Sequence, residues 1–227
     1  PVAAAFWYSP ITTSTNDVQF DNYGLLRRDF SPKPAMYAFK CASTGICGPN
    51  TSSASSAKPG DTLVALDAKW RYSDAGKDLG TYWRQNDYDA SSWKTGTGEF
   101  GYGDGDARTT LNYGGDRWDK HPTYYFRTTF EAGPNPSSVS GLRLKAIIDD
   151  AAAVYLNGKE IWRFNLASGD VDFSAWANRY IAGAEESTWR NMDLPAGALR
   201  AGTNTVAVEV HQDSATSSDL SMHLELT

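Results

Sequence analysis

The strongest constraint on the fold is an alternation of apolar and polar residues with a period of two. In "TVAVEVHQ" the valines fall on one face of a strand and the intervening side chains on the other; these are Val206, Val208 and Val210 against Ala207, Glu209 and His211. "LSMHLEL", residues 220–226, repeats the pattern with its leucines and methionine on one side. Such alternation predicts half-buried strands, and two antiparallel sheets packed on these faces make a two-layer β-sandwich.

Turn signals divide residues 61–227 into further short strands. "TLVALD", "YYFRTTF", "GLRLKAIID" and "AAVYLNGKEIW" each read as one strand or more. Within the last, Asn157 and Gly158 supply the two left-handed residues of a type I′ hairpin turn. Twenty glycines, eight tryptophans and twelve tyrosines favour this all-β organisation over a helical bundle.

A linker separates this region from the first residues of the chain. Residues 41–60 end in "CGPNTSSASSAKPG", which has almost nothing to bury and the composition of a flexible connection. Cys41 and Cys47 stand at its start, at a spacing that fits neither a common zinc site nor a CxxC redox motif. We expect them to form a disulfide, which implies an oxidising compartment; the alternative is two unpaired small residues at a helix end.

The charge of the chain restricts its partners. A net charge of −6 argues against nucleic acid and against an anionic membrane surface, because both select basic proteins. The sequence contains no apolar run of about 18 residues that could span a bilayer. Neutral polymers remain as candidate partners.

Residues 61–227 resemble the galactose-binding-like β-sandwich, or jelly-roll, modules of secreted bacterial hydrolases. The motifs that carry the resemblance are "WRYSDAGKDLGTYWRQNDYDASSWKTGTGEFGYGDGD", "YYFRTTF", "IDDAAAVYLNGKEI" and "GTNTVAVEVHQDSATSSDLSMHLEL". The resemblance implies a non-catalytic carbohydrate-binding module. The fold is attached to glycoside hydrolases, polysaccharide lyases and metallophosphoesterases alike, so the fold does not fix the function.

Residues 1–40 resemble the end of a glycoside hydrolase (β/α)8 barrel. "AAFWYSP" corresponds to a final barrel strand, and "DNYGLLRRDFSPKPAMYAFK" to the closing loop and helix. The resemblance implies that the chain is a C-terminal fragment of a glycoside hydrolase. The carboxylates of such an enzyme lie at the ends of earlier strands, so we expect no catalytic residue here.

Sequence motifs for other chemistry are missing. The three histidines lie far apart, without HExxH, and no GxSxG or P-loop occurs. Asp149 and Asp150 are adjacent, and because adjacent residues on a strand point to opposite faces, we expect that they cannot jointly flank one glycosidic bond. We therefore assign no catalytic residue and no required cofactor.

A glycine-rich loop carries the one indication of a metal. "GYGDGDARTT" places Asp104 and Asp106 between glycines, like half of a calcium loop, but it lacks the later ligands of an EF-hand. Modules of the resembled type often hold a structural calcium ion, and the sequence does not identify its ligands. A turn with solvated carboxylates is the alternative.

Aromatic residues in polar loops are the candidates for sugar binding. A pyranose ring needs a flat apolar surface for its C–H face and polar neighbours for its hydroxyls. "NYGGDRWDKHPTY" and "GDVDFSAWANRY" combine both, whereas Trp70, Trp83 and Trp93 are expected in the framework. The predicted ligand-binding residues are Tyr113, Arg117, Trp118, Trp176 and Tyr180, with His211 and Gln212 as secondary polar candidates. Packing beneath their own loops is the alternative role for the aromatic members.

These observations predict a module that binds a polysaccharide or oligosaccharide and targets a secreted, extracellular glycoside hydrolase to it. The parent catalytic domain would be its second partner. The alternative is a structural accessory domain that braces the catalytic barrel without binding sugar.

Overall fold

The structure, a computed structural model, describes residues 60–136, 139 and 141–227. The predicted barrel remnant at residues 1–40 and the Cys41–Cys47 disulfide lie outside this part of the chain. So does the predicted linker at residues 41–60, apart from Gly60.

Two β-sheets make up most of the described residues. The first has the order β2 (Lys94–Thr97), β1 (Lys69–Ser73), β5 (Thr123–Glu131), β10 (Thr203–His211), β7 (Ala151–Leu156) and β8 (Lys159–Phe164). The second has the order β4 (Thr109–Thr110), β3 (Phe100–Tyr102), β11 (Leu220–Leu226), β6 (Leu142–Asp149) and β9 (Arg190–Leu194). Short 3-10 helices occupy Tyr82–Arg84, Gly183–Glu185 and Ala196–Ala198. Within the described ranges, no helix is long and apolar enough to cross a membrane.

The pairing confirms the predicted antiparallel sandwich. Every strand pair is antiparallel except the short parallel pair of β3 with β4. The hairpin between β7 and β8 turns at Asn157 (φ 54°) and Gly158 (φ 82°), as the sequence predicts. The strand predicted for "TLVALD" is wrong: only Val64 pairs, with Leu226, because the chain turns immediately afterwards, where Ala68 N donates to Ala65 O.

The main core lies between the two sheets. It is built from the alternate residues that the pattern assigned inward, including the valines of β10 and the leucines of β11. Aromatic rings fill its centre: Phe100 and Phe126 meet edge to face at 5.1 Å, and Tyr72 packs against both. This core fixes the register of every strand, because a slip by one residue would turn the apolar set outward.

A second apolar cluster covers the outer face of the six-stranded sheet. Trp83 is completely buried there against Tyr125 (4.8 Å) and Tyr155 (5.9 Å). The half-buried status predicted for β10 is therefore wrong, because Ala207, Glu209 and His211 lie beneath this layer rather than in solvent. Trp70 and Trp83 are framework residues as expected, and Trp93 is half-buried against Trp83.

Candidate functional site

Several long loops gather at one end of the sandwich because the strands that carry them end in register. His211, at the end of β10, pairs with Thr123 and Ala151, the first residues of β5 and β7. In the other sheet Ser221 pairs with Asp149 at the end of β6 and with Gly101 in β3. We call this region the loop end; it comprises residues 103–108, 111–122, 149–150, 174–189 and 212–219.

The segment 212–219 connects the two loops that carry the predicted aromatic residues. Lys120 N donates to Ala215 O at 3.0 Å, which attaches the loop of Trp118. Ala177 N donates to Gln212 O at 2.8 Å, which attaches the loop of Trp176. Both loops are therefore positioned by the same stretch of main chain.

Three of the predicted aromatic residues are exposed at the loop end. Trp118 is 63% exposed, Trp176 40% and Tyr180 67%. The indole of Trp118 has the Arg117 guanidinium 4.7 Å from its ring, and its backbone N–H donates to Asp116 Oδ1 at 2.8 Å. The ring is thus held by its own loop while most of its surface faces solvent.

Tyr113 is placed differently from the other aromatic candidates. Its side chain is half-buried, and the centre of its ring lies 5.1 Å from the centre of the Tyr102 ring. The Lys120 ammonium lies 5.6 Å from the centre of the Tyr113 ring. It supports the base of the loop on which Trp118 stands.

His211 and Gln212 are completely buried and cannot act as surface contacts. His211 Nδ1 lies 2.8 Å from Ala175 O and 3.0 Å from Thr123 Oγ1. Gln212 Nε2 donates to Tyr102 Oη and to Asp219 O. Both residues hold loops in place, so we do not include them in the candidate surface.

An acidic cluster that the sequence did not reveal lies at the same end. Carboxylate oxygens of Asp104, Glu186 and Asp219 all lie within 4.8 Å of one another. Burial, together with the charges of Asp219 and Glu186, raises the pKa of Asp104 to about 6. Of this group the sequence pattern indicates only Asp104, because the other two residues are distant along the chain.

Asp149 and Asp150, which are adjacent in sequence, have different surroundings at the same end of the sandwich. Asp150 accepts the N–H groups of Ile181 and Asp213, both at 2.8 Å. The fully buried Asp149 accepts from no N–H or O–H donor of the described residues, and its neighbour is the Asp150 carboxylate, to which it donates a hydrogen bond when it is protonated. Asp150 lies in the bend after β6, so the rule of opposite strand faces does not apply to the pair. Burial raises the pKa of Asp149 to about 9, and the charges of Asp150 and Asp219 add to the effect.

A separate groove lies beside β1 and β5, on the outer face of the six-stranded sheet. Its volume is about 510 Å³, and Lys69, Arg71 and Arg127 line it together with Asn86 and Tyr88. Much of the arginines' hydrogen-bonding capacity is used inside the protein: Arg71 donates to Ser91 O and Trp93 O, and Arg127 to Gln85 O. This groove is therefore an alternative location for a ligand, and substitutions in it can be compared with substitutions at the loop end.

Comparison with known proteins gives similarity to solved structures alone. No protein-family model and no curated protein matches the chain. A glycosyl hydrolase family 2 member from Bacteroides cellulosilyticus matches 74% of this chain and 20% of its own, with 14% identity and a TM-score of 0.47. A β-glycosidase from Bacteroides vulgatus matches 74% and 20%, with 15% identity and a TM-score of 0.46. A β-glucuronidase from Bacteroides uniformis matches 73% and 17%, with 16% identity and a TM-score of 0.45. The present chain thus spans a fifth or less of the length of these glycoside hydrolases.

Proposed function

We propose that residues 61–227 form a non-catalytic carbohydrate-binding module that holds a secreted glycoside hydrolase on polysaccharide. The observation that carries the proposal is the exposure of Trp118, Trp176 and Tyr180 on loops attached around one segment. Five large apolar side chains are exposed in the described part of the chain, and these three are at the loop end. The other two are Tyr82 and Met192.

The chemistry of these side chains suits a sugar ring. Exposed clusters of large apolar side chains on a protein surface commonly mark a binding site. An indole or phenol ring presents a flat face to the C–H bonds of a pyranose, and exposed polar residues such as Asp119 and Asn178 flank the rings. The acidic character of the loop end favours neutral over acidic glycans, because carboxylates repel uronate groups.

Tethering is the mechanism by which such a module would act. A domain bound to polysaccharide keeps an attached enzyme at a high local substrate concentration, without taking part in bond cleavage. The resemblance of residues 1–40 to the end of a glycoside hydrolase barrel supports the choice of enzyme. Because a polysaccharide substrate lies outside the cell, we propose that the parent enzyme is secreted.

The test measures glycan retention for single substitutions in the full chain. Affinity electrophoresis against a panel of soluble plant, algal and microbial glycans identifies the ligand, and calorimetry then gives Kd for Trp118→Ala and Trp176→Ala. Loss of a stacking platform should weaken binding by about 2 kcal/mol, or roughly 30-fold, for at least one of the two. The thermal midpoint should barely change for Trp118→Ala, because that residue is 63% exposed, and should fall more for Trp176→Ala, which is 40% exposed.

Tyr82→Ala is the matched control, since Tyr82 is 56% exposed but lies in the 3-10 helix over the six-stranded sheet. It should leave Kd unchanged. If Arg71→Ala in the separate groove weakens binding and neither tryptophan substitution does, the proposed surface is wrong although the module binds glycan. If no glycan in the panel is retained, the bracing role replaces the binding role.

A further inference from the structure

We propose that the groove beside β1 and β5 binds the carboxylate of an acidic saccharide, a sugar of the uronate class, between Arg71 and Arg127. Residues of the segment 86–91 line the groove together with the sheet, and a third cation, Lys69, lines it as well. The groove shares no residue with the loop end, so this inference does not rest on the glycan binding proposed there.

The register of β1 and β5 places two positive charges side by side. Arg71 of β1 is the partner of Arg127 on β5, so the two side chains leave the same face of the sheet. Directly opposite residues have Cβ atoms about 4.5–5.5 Å apart, and like charges at such positions are destabilising. The next residues in this row are the neutral Thr95 on β2 and Ala207 on β10. The row therefore supplies no counter-charge beside the arginines.

Arg127 carries its charge in a buried position. It is only 5% exposed, and its guanidinium donates to the main-chain oxygens of Trp83 and Gln85. These oxygens are neutral, and within the described ranges no carboxylate lies at ion-pair distance from Arg127. Burial lowers the pKa of Arg127, against the opposing influence of Tyr88 and Asp87. A buried charge without an ionic partner is unfavourable, so an anion in the groove would stabilise this part of the fold.

Arg71 is exposed beside this buried charge. Its Nη1 donates to Ser91 O at 3.3 Å and to Trp93 O at 3.2 Å, which fixes the side chain without neutralising it. Asp89 is the exposed carboxylate of the same segment, and it accepts the N–H of Ser91 at 2.8 Å. Among the described residues it forms no ion pair with Arg71. The two arginines thus present positive charge to the groove from fixed positions.

The lining indicates a carboxylate on a sugar ring. An arginine fork matches a carboxylate with two parallel hydrogen bonds, and neutral polar side chains beside it suit hydroxyl groups. The volume of about 510 Å³ is within the range of about 300–1,000 Å³ that small-molecule sites have. No aspartate or glutamate lines the groove in the described part of the chain. The neutral lining consists of the hydroxyls and amide of Asn86, Ser91, Thr95 and Thr129 and the ring of Tyr88, among others.

Charge separates this groove from the loop end. The chain has a net charge of −6, and the loop end holds the carboxylates of Asp104, Glu186 and Asp219 close together. The charged residues that line the groove are all cations. An acidic saccharide is therefore repelled at the loop end and attracted at the groove. The two surfaces should take different sugars, and each can be tested with the other intact.

Calorimetric titration of a galacturonic acid trisaccharide into the full chain is the direct test. The fully methyl-esterified trisaccharide is the matched ligand, because it keeps the sugar rings and removes their charges. We expect saturable binding of the acid and at least tenfold weaker binding of the ester. Arg71→Gln should weaken binding of the acid at least tenfold, and Arg71→Lys by less, since it keeps the charge but loses the planar fork. The acid should also raise the thermal midpoint of the unmodified chain.

Lys159→Gln is the matched control, because it makes the same change of charge on β8, at the opposite edge of the same sheet. It should leave Kd for the acid unchanged, and so should Trp118→Ala at the loop end. Arg71→Gln should leave retention of neutral glycans unchanged, so failure at either surface is seen separately. If Arg71→Gln does not fold, Lys69→Gln replaces it.

Four results would overturn the inference. They are no binding of the acid up to about 10 mM, equal binding of acid and ester, equal weakening by Arg71→Gln and Lys159→Gln, and displacement of the acid by an equal concentration of sodium sulfate. The last would show a site for anions in general.

Discussion

Tyr155→Phe tests whether the buried polar contact beneath the outer layer stabilises the sandwich. Tyr155 Oη donates to Glu209 Oε1 at 2.5 Å, and the two residues are only 1% and 3% exposed. Removing the hydroxyl leaves that carboxylate oxygen without this donor and out of reach of bulk water. A hydrogen bond to a charged group contributes about 1.5–3 kcal/mol, so we expect the free energy of unfolding to fall by about 2 kcal/mol.

Urea unfolding provides the assay for this prediction. The midpoint should decrease without a change in the slope m, because the surface exposed on unfolding stays the same. In a thermal scan, a loss of about 2 kcal/mol lowers the midpoint by roughly 4–8 °C for a domain of this size. Tyr180→Phe is the control, since Tyr180 is 67% exposed, and should change neither value measurably.

A double-mutant cycle locates the effect in the pair. Glu209→Gln removes the charge but keeps an oxygen that can accept a hydrogen bond from Tyr155. In the Glu209→Gln background, Tyr155→Phe should therefore lower the free energy of unfolding by only about 1 kcal/mol. A loss below about 0.5 kcal/mol for Tyr155→Phe alone would refute the reasoning, because it would mean that Glu209 obtains an equivalent donor or water.

Two further perturbations test other parts of the fold. Burial raises the pKa of Tyr125 and of Tyr155 above the ordinary value of 10.0. Because these phenols then ionise more readily in the unfolded chain than in the folded one, the free energy of unfolding should be constant up to about pH 10 and decline above it. Unfolding free energies measured across that range check this, and a normal phenol titration near pH 10 in the folded protein would contradict it. Gly101→Ala should lower the free energy of unfolding by about 1–3 kcal/mol. An added Cβ would lie 2.1 Å from the main-chain oxygen of Leu220, which cannot move aside without disturbing the β3–β11 pairing. Gly115→Ala, which has open space at the same atom, is the control by chemical denaturation, and equal stability of the two variants would show that β3 shifts freely.

Local pattern was enough to predict most of the strands. The alternating residues of β10 and β11 and the Asn157–Gly158 turn depend on neighbours in sequence, and the structure has them where the pattern indicates. The burial of Glu209 could not be predicted in this way. It depends on a loop more than a hundred residues earlier, which brings Trp83 over the outer face of the sheet.

The candidate sites show the same division. The exposed Trp118 and Trp176 were recognisable because a large aromatic residue in a polar loop is unusual in its own surroundings. His211 looked similar, since it stands at a strand end, but its burial is decided by the loops folded over it. The acidic cluster combines Asp104 with Glu186 and Asp219, and only the register of distant strands brings these residues together.

Because two aromatic loops are attached to residues 212–219, the distance between these loops is set independently of the side chains that they carry. The bonds at Gln212 and Ala215 are made by main-chain oxygens, so they do not depend on which side chains the segment carries. Residues at the tips of the two loops can therefore be exchanged while the distance between the loops is kept. A change in the length of the segment would instead move both loops at once, which makes this short stretch the place to alter which ligand shape the module accepts.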